Sequence, residues 1–212
     1  MTNDERPPSR AALSWGLLFV GLLLPVAALM RSASRGDDAL PDFGMVPSFT
    51  LVDLRGAVLT PSKLAGTPWF ADFVYTHCEG SCPVLSGEMS RLQRRVGDRA
   101  RLVSFSVDPA RDTPEALTAY AQRFAASPGD WLFVGGEVGA MRELIRQGFH
   151  LAVLDADPRD GQPAGAIAHS EKIVLVDAKL RIRRYYDGGD GRWIDDALRD
   201  LNVLGAATEA HS

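Results

Sequence analysis

The stretch Phe73-Val74-Tyr75-Thr76-His77-Cys78-Glu79-Gly80-Ser81-Cys82-Pro83 holds both cysteines of a 212-residue chain, and its reading decides the fold. An apolar run from Trp69 to Tyr75 leads into it and reads as a buried strand. From about Cys82 the pattern changes: Leu85, Met89, Leu92 and Val96 recur at spacings of four, three and four, which is one face of a helix. The cysteines therefore fall at a strand-to-helix turn. Unpaired N–H groups and the positive end of the helix dipole favour a thiolate over a thiol there. The spacing alone leaves two uses open, thiol redox exchange and binding of a soft metal.

Composition limits what surrounds this turn. The formal net charge is −4 and the arginines are dispersed, so nothing marks a nucleic-acid binder. Two cysteines are too few for a disulfide framework, and a chain of this length buries enough core not to need one. A structural staple between Cys78 and Cys82 is the plain alternative. A loop that short contributes only about 2 kcal/mol in the chain-entropy model, which a domain of this size hardly requires.

Working outward toward the N-terminus, residues 1–10 form a polar segment with Arg6 and Arg10, and residues 11–30 carry no formal charge. Twenty such residues suffice to span a bilayer, so 11–30 reads as a transmembrane anchor, with a cleaved signal peptide ending near Val26-Ala27-Ala28 as the alternative. Either reading exports the remainder. Residues 31–46 lack periodicity and read as a linker, residues 47–204 as the folded domain and 205–212 as a flexible tail. Within the domain the pattern predicts a short hairpin over residues 48–60 before the strand at Trp69. Further strands are predicted over 101–107, 131–134, 149–154, 172–177 and 181–186, with helices starting at Thr113-Pro114, spanning 137–147 and lying around Ile194 to Leu201. Strands alternating with helices give an α/β domain, its sheet mostly parallel at first and antiparallel in the terminal hairpin.

Two thiolates suit Cu(I), and an imidazole added to them suits copper in either oxidation state. Structural zinc, which takes four protein ligands, is disfavoured. Of four histidines, His211 lies in the tail, and His77 is expected to point away from its neighbour Cys78. His150 is read as a half-buried strand residue. His169 ends the polar loop over 155–168, just ahead of a strand, where loops converge on sites; a surface-loop histidine is its plain reading. Asp108 and Asp112 follow a strand end, either as caps and turn formers or as carboxylates that orient a histidine or steer a cation.

Tyr75-Thr76-His77-Cys78 through Cys82-Pro83, then Ser104-Phe105-Ser106-Val107-Asp108-Pro109-Ala110-Arg111-Asp112-Thr113-Pro114, then His169-Ser170, resemble the SCO/SenC family of membrane-anchored, thioredoxin-like proteins that serve cytochrome c oxidase assembly. The resemblance implies a thioredoxin-like fold with an N-terminal β-hairpin extension, preceded by one transmembrane helix. It implies that Cys78, Cys82 and His169 are copper ligands with Asp108 and Asp112 in support, and that the soluble domain lies outside the cytoplasm, on the periplasmic side in a bacterium. Glu79 and Gly80 stand where that family usually has Pro and Asp. Gly80 loosens the turn, and the charge of Glu79 opposes thiolate formation at Cys78.

Two functions follow as expectations. In the first, the chain is a copper metallochaperone holding Cu(I) or Cu(II) and passing it to a copper-accepting oxidase subunit. A thioredoxin-like reductant would keep the thiols from closing into a disulfide. In the second, it is a membrane-anchored thiol–disulfide oxidoreductase in which Cys78 attacks and Cys82 resolves, without obligatory copper. His169 separates the two, since only the first needs an imidazole.

Overall fold

The structure is a computed structural model that describes residues 40–78, 80–155 and 167–209. In chain order the elements are β1 (Leu51–Asp53), β2 (Val58–Leu59), the single turn α1 (Pro61–Leu64), β3 (Trp69–Val74) and α2 (Cys82–Val96). They continue with β4 (Arg101–Ser106), α3 (Pro114–Arg123), β5 (Trp131–Gly135) and α4 (Val138–Glu143), which runs into a π turn over Leu144–Gly148. The last are β6 (Val153–Asp155), β7 (Ile167–His169), β8 (Lys172–Val176), β9 (Ile182–Asp187) and α5 (Trp193–Glu209).

Among the described residues, seven strands form one sheet in the order β2-β1-β5-β4-β3-β8-β9. β3, β4 and β5 are parallel; β8 runs antiparallel to β3, and β9 to β8. β1 and β2 form the expected hairpin and extend the sheet by pairing β1 antiparallel to β5. Every residue of β3 is buried, as its place at the centre of the sheet requires. Side chains alternate across it: Trp69, Ala71 and Phe73 enter one core with Phe105, Val174 and Phe149, and Phe70 enters the other with Leu102 and Ile173. The second core is closed by Leu85, Met89 and Leu92 of α2, by Leu117 and Tyr120 of α3, and by Trp193, Ala197 and Leu201 of α5. α2 and α3 share a face because both parallel crossovers, β3 to β4 and β4 to β5, step the same way across the sheet and right-handed connections then put both helices on one side.

Two expectations are corrected. Residues 149–154 do not form one strand: Phe149 closes the π turn, and His150 has a left-handed φ of 53° and is exposed. Only Val153–Asp155 is extended, and it pairs with β7 in a separate two-stranded ribbon. A short apolar run does not by itself distinguish strand from buried turn. Phe149 is buried instead by edge contacts with Trp69 and Phe73. The second correction concerns the linker, whose last seven residues lie against the domain. The amides of Phe43 and Val46 donate to Ile182 and Leu180, the amide of Ile182 donates to Gly44, and the Arg183 guanidinium holds the carbonyls of Leu40 and Pro41. The expected transmembrane segment, residues 11–30, lies outside the described residues, and no helix among the described residues is long and apolar enough to cross a membrane.

Candidate metal centre

β3 ends at Val74, and three hydrogen bonds then fix the path to Cys78. The Thr76 amide and hydroxyl both donate to Oδ1 of Asp112, at 2.9 and 2.7 Å, and the Cys78 amide donates to the Tyr75 carbonyl at 3.2 Å. Asp112 takes a further bond on Oδ2 from the Ser106 hydroxyl at 2.5 Å. Ser106 in turn accepts from the Asp108 amide at 3.1 Å, and Asp108 pairs with the Arg111 guanidinium. A buried carboxylate that accepts from both loops thus ties the end of β3 to the end of β4. Asp112 does not cap the helix that follows, where the cap is Thr113 accepting from the Ala116 amide at 3.3 Å; its carboxylate braces the turn ahead of Cys78.

α2 begins at Cys82 with Pro83 in its first turn, and the Leu85 amide closes that turn on the Ser81 carbonyl at 2.9 Å. Cys78 and Cys82 are both thiols, Cys78 half-buried and Cys82 fully buried, and they hydrogen-bond to each other. Here the expectation of a helix-stabilised thiolate fails at Cys82. Burial pushes its thiol up, the Cys78 thiol and the charge of Asp72 push the same way, and the Tyr75 backbone opposes them only in part. Gly80 is called for neither by backbone nor by space. It lacks a left-handed φ, and a Cβ there would stand 3.9 Å from the Cys78 Sγ, an ordinary contact. Glu79 lies outside the described residues.

His77 is exposed, and its Nδ1 lies 3.1 Å from the Thr76 hydroxyl. That hydroxyl spends its single proton on Asp112, so Nδ1 is the donor in this contact. The backbone of His169 closes β7 opposite Val153, three residues before β8 starts. Because β8 runs antiparallel to β3, this brings His169 to the end of the sheet where Cys78 and Asp112 lie. The side chain of His169 is outside the described part. Among the described residues no three His, Cys, Asp or Glu side chains gather into a metal cage.

One feature escaped the sequence reading. Asp72, the only charge in the apolar strand, is 1% exposed and accepts the Ser104 hydroxyl on Oδ1 at 2.5 Å. Ser104 itself accepts the Trp131 indole N–H at 2.8 Å, and among the described residues nothing hydrogen-bonds Oδ2 of Asp72. Burial pushes this carboxyl up to about 7, with the Ser104 bond opposing. An acidic residue at an inward position of a fully buried strand was the signal that could have found it.

A parallel core of three strands, extended by an antiparallel hairpin and carrying a dithiol where the helix after β3 begins, defines a thioredoxin-like dithiol protein. The description of the SCO1/SenC family matches residues 38–202, and the chain belongs to that family. It is 28% identical over 160 residues to the SCO1 protein homolog of Bacillus subtilis, covering 74% of this chain and 80% of that protein. Among solved structures it is similar to ScoI of Bradyrhizobium japonicum with copper bound, with a TM-score of 0.64 and 26% identity over 76% of this chain and 99% of that one. It is likewise similar to BsSco, a member of the Sco family of cytochrome c oxidase assembly proteins in which a disulfide switch is identified, with a TM-score of 0.68 and 26% identity over 78% of this chain and 97% of that one.

Proposed function

We propose that this chain is a copper-binding metallochaperone of cytochrome c oxidase assembly, with copper as its cargo. The observation that carries the reading is the pair itself: two thiols in mutual contact at the end of the sheet, one buried and one half-exposed. Thiolate sulfur suits Cu(I), and an imidazole beside it suits either oxidation state. Cys78 and Cys82 supply the sulfurs and His169 the imidazole; Asp112 holds the turn that carries Cys78, and Asp108 braces the adjoining loop. The copper-bound relative and the copper-binding fit of the donor set support this reading. The receiving partner is the copper site of an oxidase subunit, and a thioredoxin-like reductant keeps Cys78 and Cys82 as thiols. Residues 11–30 anchor the chain in a membrane, with the domain outside the cytoplasm.

A second reading, a thiol–disulfide oxidoreductase, is favoured by the same hydrogen-bonded dithiol and by the disulfide switch of BsSco. One titration separates the two. Reduced full-length chain in detergent is loaded with Cu(I) or Cu(II), freed of excess metal and assayed for copper, alongside Cys78→Ser, Cys82→Ser and His169→Ala. One copper per wild-type chain, lost in both serine variants and weakened in His169→Ala, is expected. A wild type that keeps no copper while still reducing disulfides would leave the oxidoreductase in its place.

A further inference from the structure

The end of the sheet remote from the dithiol carries an exposed apolar ledge beside unpaired cations. Val176 pairs with Ile182 on one side and with Trp69 on the other. Residues 43–46, bonded to Leu180 and Ile182, therefore lie level with the start of β3, whereas Cys78 follows its end. At a rise of about 3.3 Å per residue, the length of β3 puts roughly 17 Å between the two levels. Phe43 and Met45 are 46% and 59% exposed. They cannot fold inward, because their backbone is bonded to β9 and Phe43 sets its ring edge-on against Tyr185, with centroids 5.1 Å apart.

Two cations stand at the same end. Arg101 opens β4 opposite Trp69, and Lys179 lies in the β8–β9 turn. Arg101 donates to the Lys63 carbonyl at 2.9 Å, and neither cation meets a carboxylate among the described residues. Of the carboxylates near the ledge, Asp42 is paired with Arg181 and Asp177 with Arg183. Asp98 and Asp130 precede β4 and β5, farther from the ledge than β3. The ledge is thus apolar with a positive margin, in a chain whose net charge is −4.

Apolar side chains held out beside free cations suit an anionic bilayer surface, where acyl chains take Phe and Met and phosphates take Lys and Arg. The sequence supplies a reason for such a surface to be near. Only nine residues separate Met30, the last of the uncharged stretch, from Leu40, and nine residues fully extended reach about 30 Å. We propose that this end of the domain docks on the membrane, with Phe43 and Met45 at the boundary of headgroups and acyl chains and with Arg101 and Lys179 on anionic headgroups. The proposal rests on the reading of residues 11–30 as an anchor. A tether this short holds the lipid surface at a high effective concentration, so a few weak contacts suffice. Docking fixes an orientation: the ledge faces the bilayer and Cys78 opens away from it, toward an acceptor domain that projects from the same membrane.

The test uses full-length chain reconstituted in vesicles of phosphatidylcholine and phosphatidylglycerol. Met45→Cys, Val84→Cys and Leu18→Cys, each in a Cys78→Ser, Cys82→Ser chain, carry a nitroxide whose collisions with oxygen and with a water-soluble nickel chelate report its depth. Val84 is the control, an exposed residue in the first turn of α2 at the dithiol end. The label at 45 should be open to oxygen and shielded from nickel, and the label at 84 open to nickel. Lys179→Glu should weaken the docking equilibrium about fivefold or more, and vesicles of phosphatidylcholine alone should weaken it too. Met45→Trp, with both cysteines kept, repeats the reading through the quenching that brominated phosphatidylcholine adds over the wild type. A label at 45 as open to nickel as that at 84 would overturn the proposal. So would one shut off from both reagents, which marks a protein contact. Leu18→Cys separates the two failures: a label at 18 in lipid with that at 45 in water refutes the docking alone, and a label at 18 in water refutes the anchor and the docking with it.

Discussion

Asp112 accepts two hydrogen bonds from Thr76, one from its amide at 2.9 Å and one from its hydroxyl at 2.7 Å, across 36 residues of sequence. Thr76 is two residues from Cys78, so this carboxylate positions the dithiol without touching it. Asp112→Ala would strand the Thr76 amide, the Thr76 hydroxyl and the Ser106 hydroxyl in a largely buried place. A loss of about 3 kcal/mol is expected, since bonds to a charged group contribute about 1.5–3 kcal/mol and the abandoned donors are left unsatisfied. Urea unfolding monitored by tryptophan fluorescence measures it. Asp112→Asn keeps one acceptor oxygen and should recover part of the loss; equal midpoints for the Ala variant and the wild type would remove Asp112 from this role.

Gly188 sits where no side chain fits. A Cβ there would stand 2.1 Å from Cδ2 of Leu85 and 2.9 Å from the carbonyl oxygen of Glu171. Leu85 lies in the first turn of α2, three residues from Cys82, so the β9–α5 loop seats the helix that carries the buried thiol. Gly188→Ala should cost about 1–3 kcal/mol by overpacking. Leu85 can yield and the Glu171 carbonyl cannot, so Gly188→Ala with Leu85→Ala should relieve only part of the strain. Strict additivity of the two losses in urea would show that the contact does not matter.

The dithiol, the strand before it and the helix after it are legible from sequence because each obeys a clear period. β3 is a buried run, and Leu85, Met89, Leu92 and Val96 all point into the core as spaced. The Thr113 cap and Pro114 were legible for a similar reason, since local chemistry decides them. What escaped depends on partners far along the chain. Residues 40–46 have no pattern of their own, being held through carbonyls by Arg183 and through a single bridge from Met45 to Arg181. Phe149 looked like a strand because it is apolar, and it is buried by aromatic packing instead. Asp72 was lost inside an apolar run, where one charge left the hydrophobic count almost unchanged.

Ser86 and Tyr120 join α2 to α3 by a buried hydrogen bond of 2.9 Å. Tyr120→Phe leaves the Ser86 hydroxyl without that partner, and Ser86→Ala does the same to Tyr120. Each should cost about 1–3 kcal/mol, whereas the double variant removes donor and acceptor together and should cost less than the sum. A double-mutant cycle in urea reads the coupling, and a coupling near zero would mean that the two hydroxyls do not bond.

The buried Asp72 carboxyl makes stability depend on pH in a direction opposite to that of a salt-bridged acid. Its value in the folded chain is raised to about 7 from an ordinary 3.8, by burial, so between those values the folded state binds a proton that the unfolded state has released. Stability contributed by this residue is therefore fully present below about pH 4, declines as pH rises and is lost by about pH 7. The largest decline is about 4 kcal/mol, from roughly 1.4 kcal/mol per pH unit over that window. Asp72→Asn cannot titrate, so the stability of the variant relative to the wild type should climb steadily from pH 4.5 to pH 7.5 and level off above it. Subtracting one protein from the other cancels the carboxylates they share, which isolates Asp72 in a series of urea melts at half-unit pH steps. A difference that stays flat across the series would mean that the carboxyl is charged throughout, and that its environment is far wetter than its 1% exposure indicates.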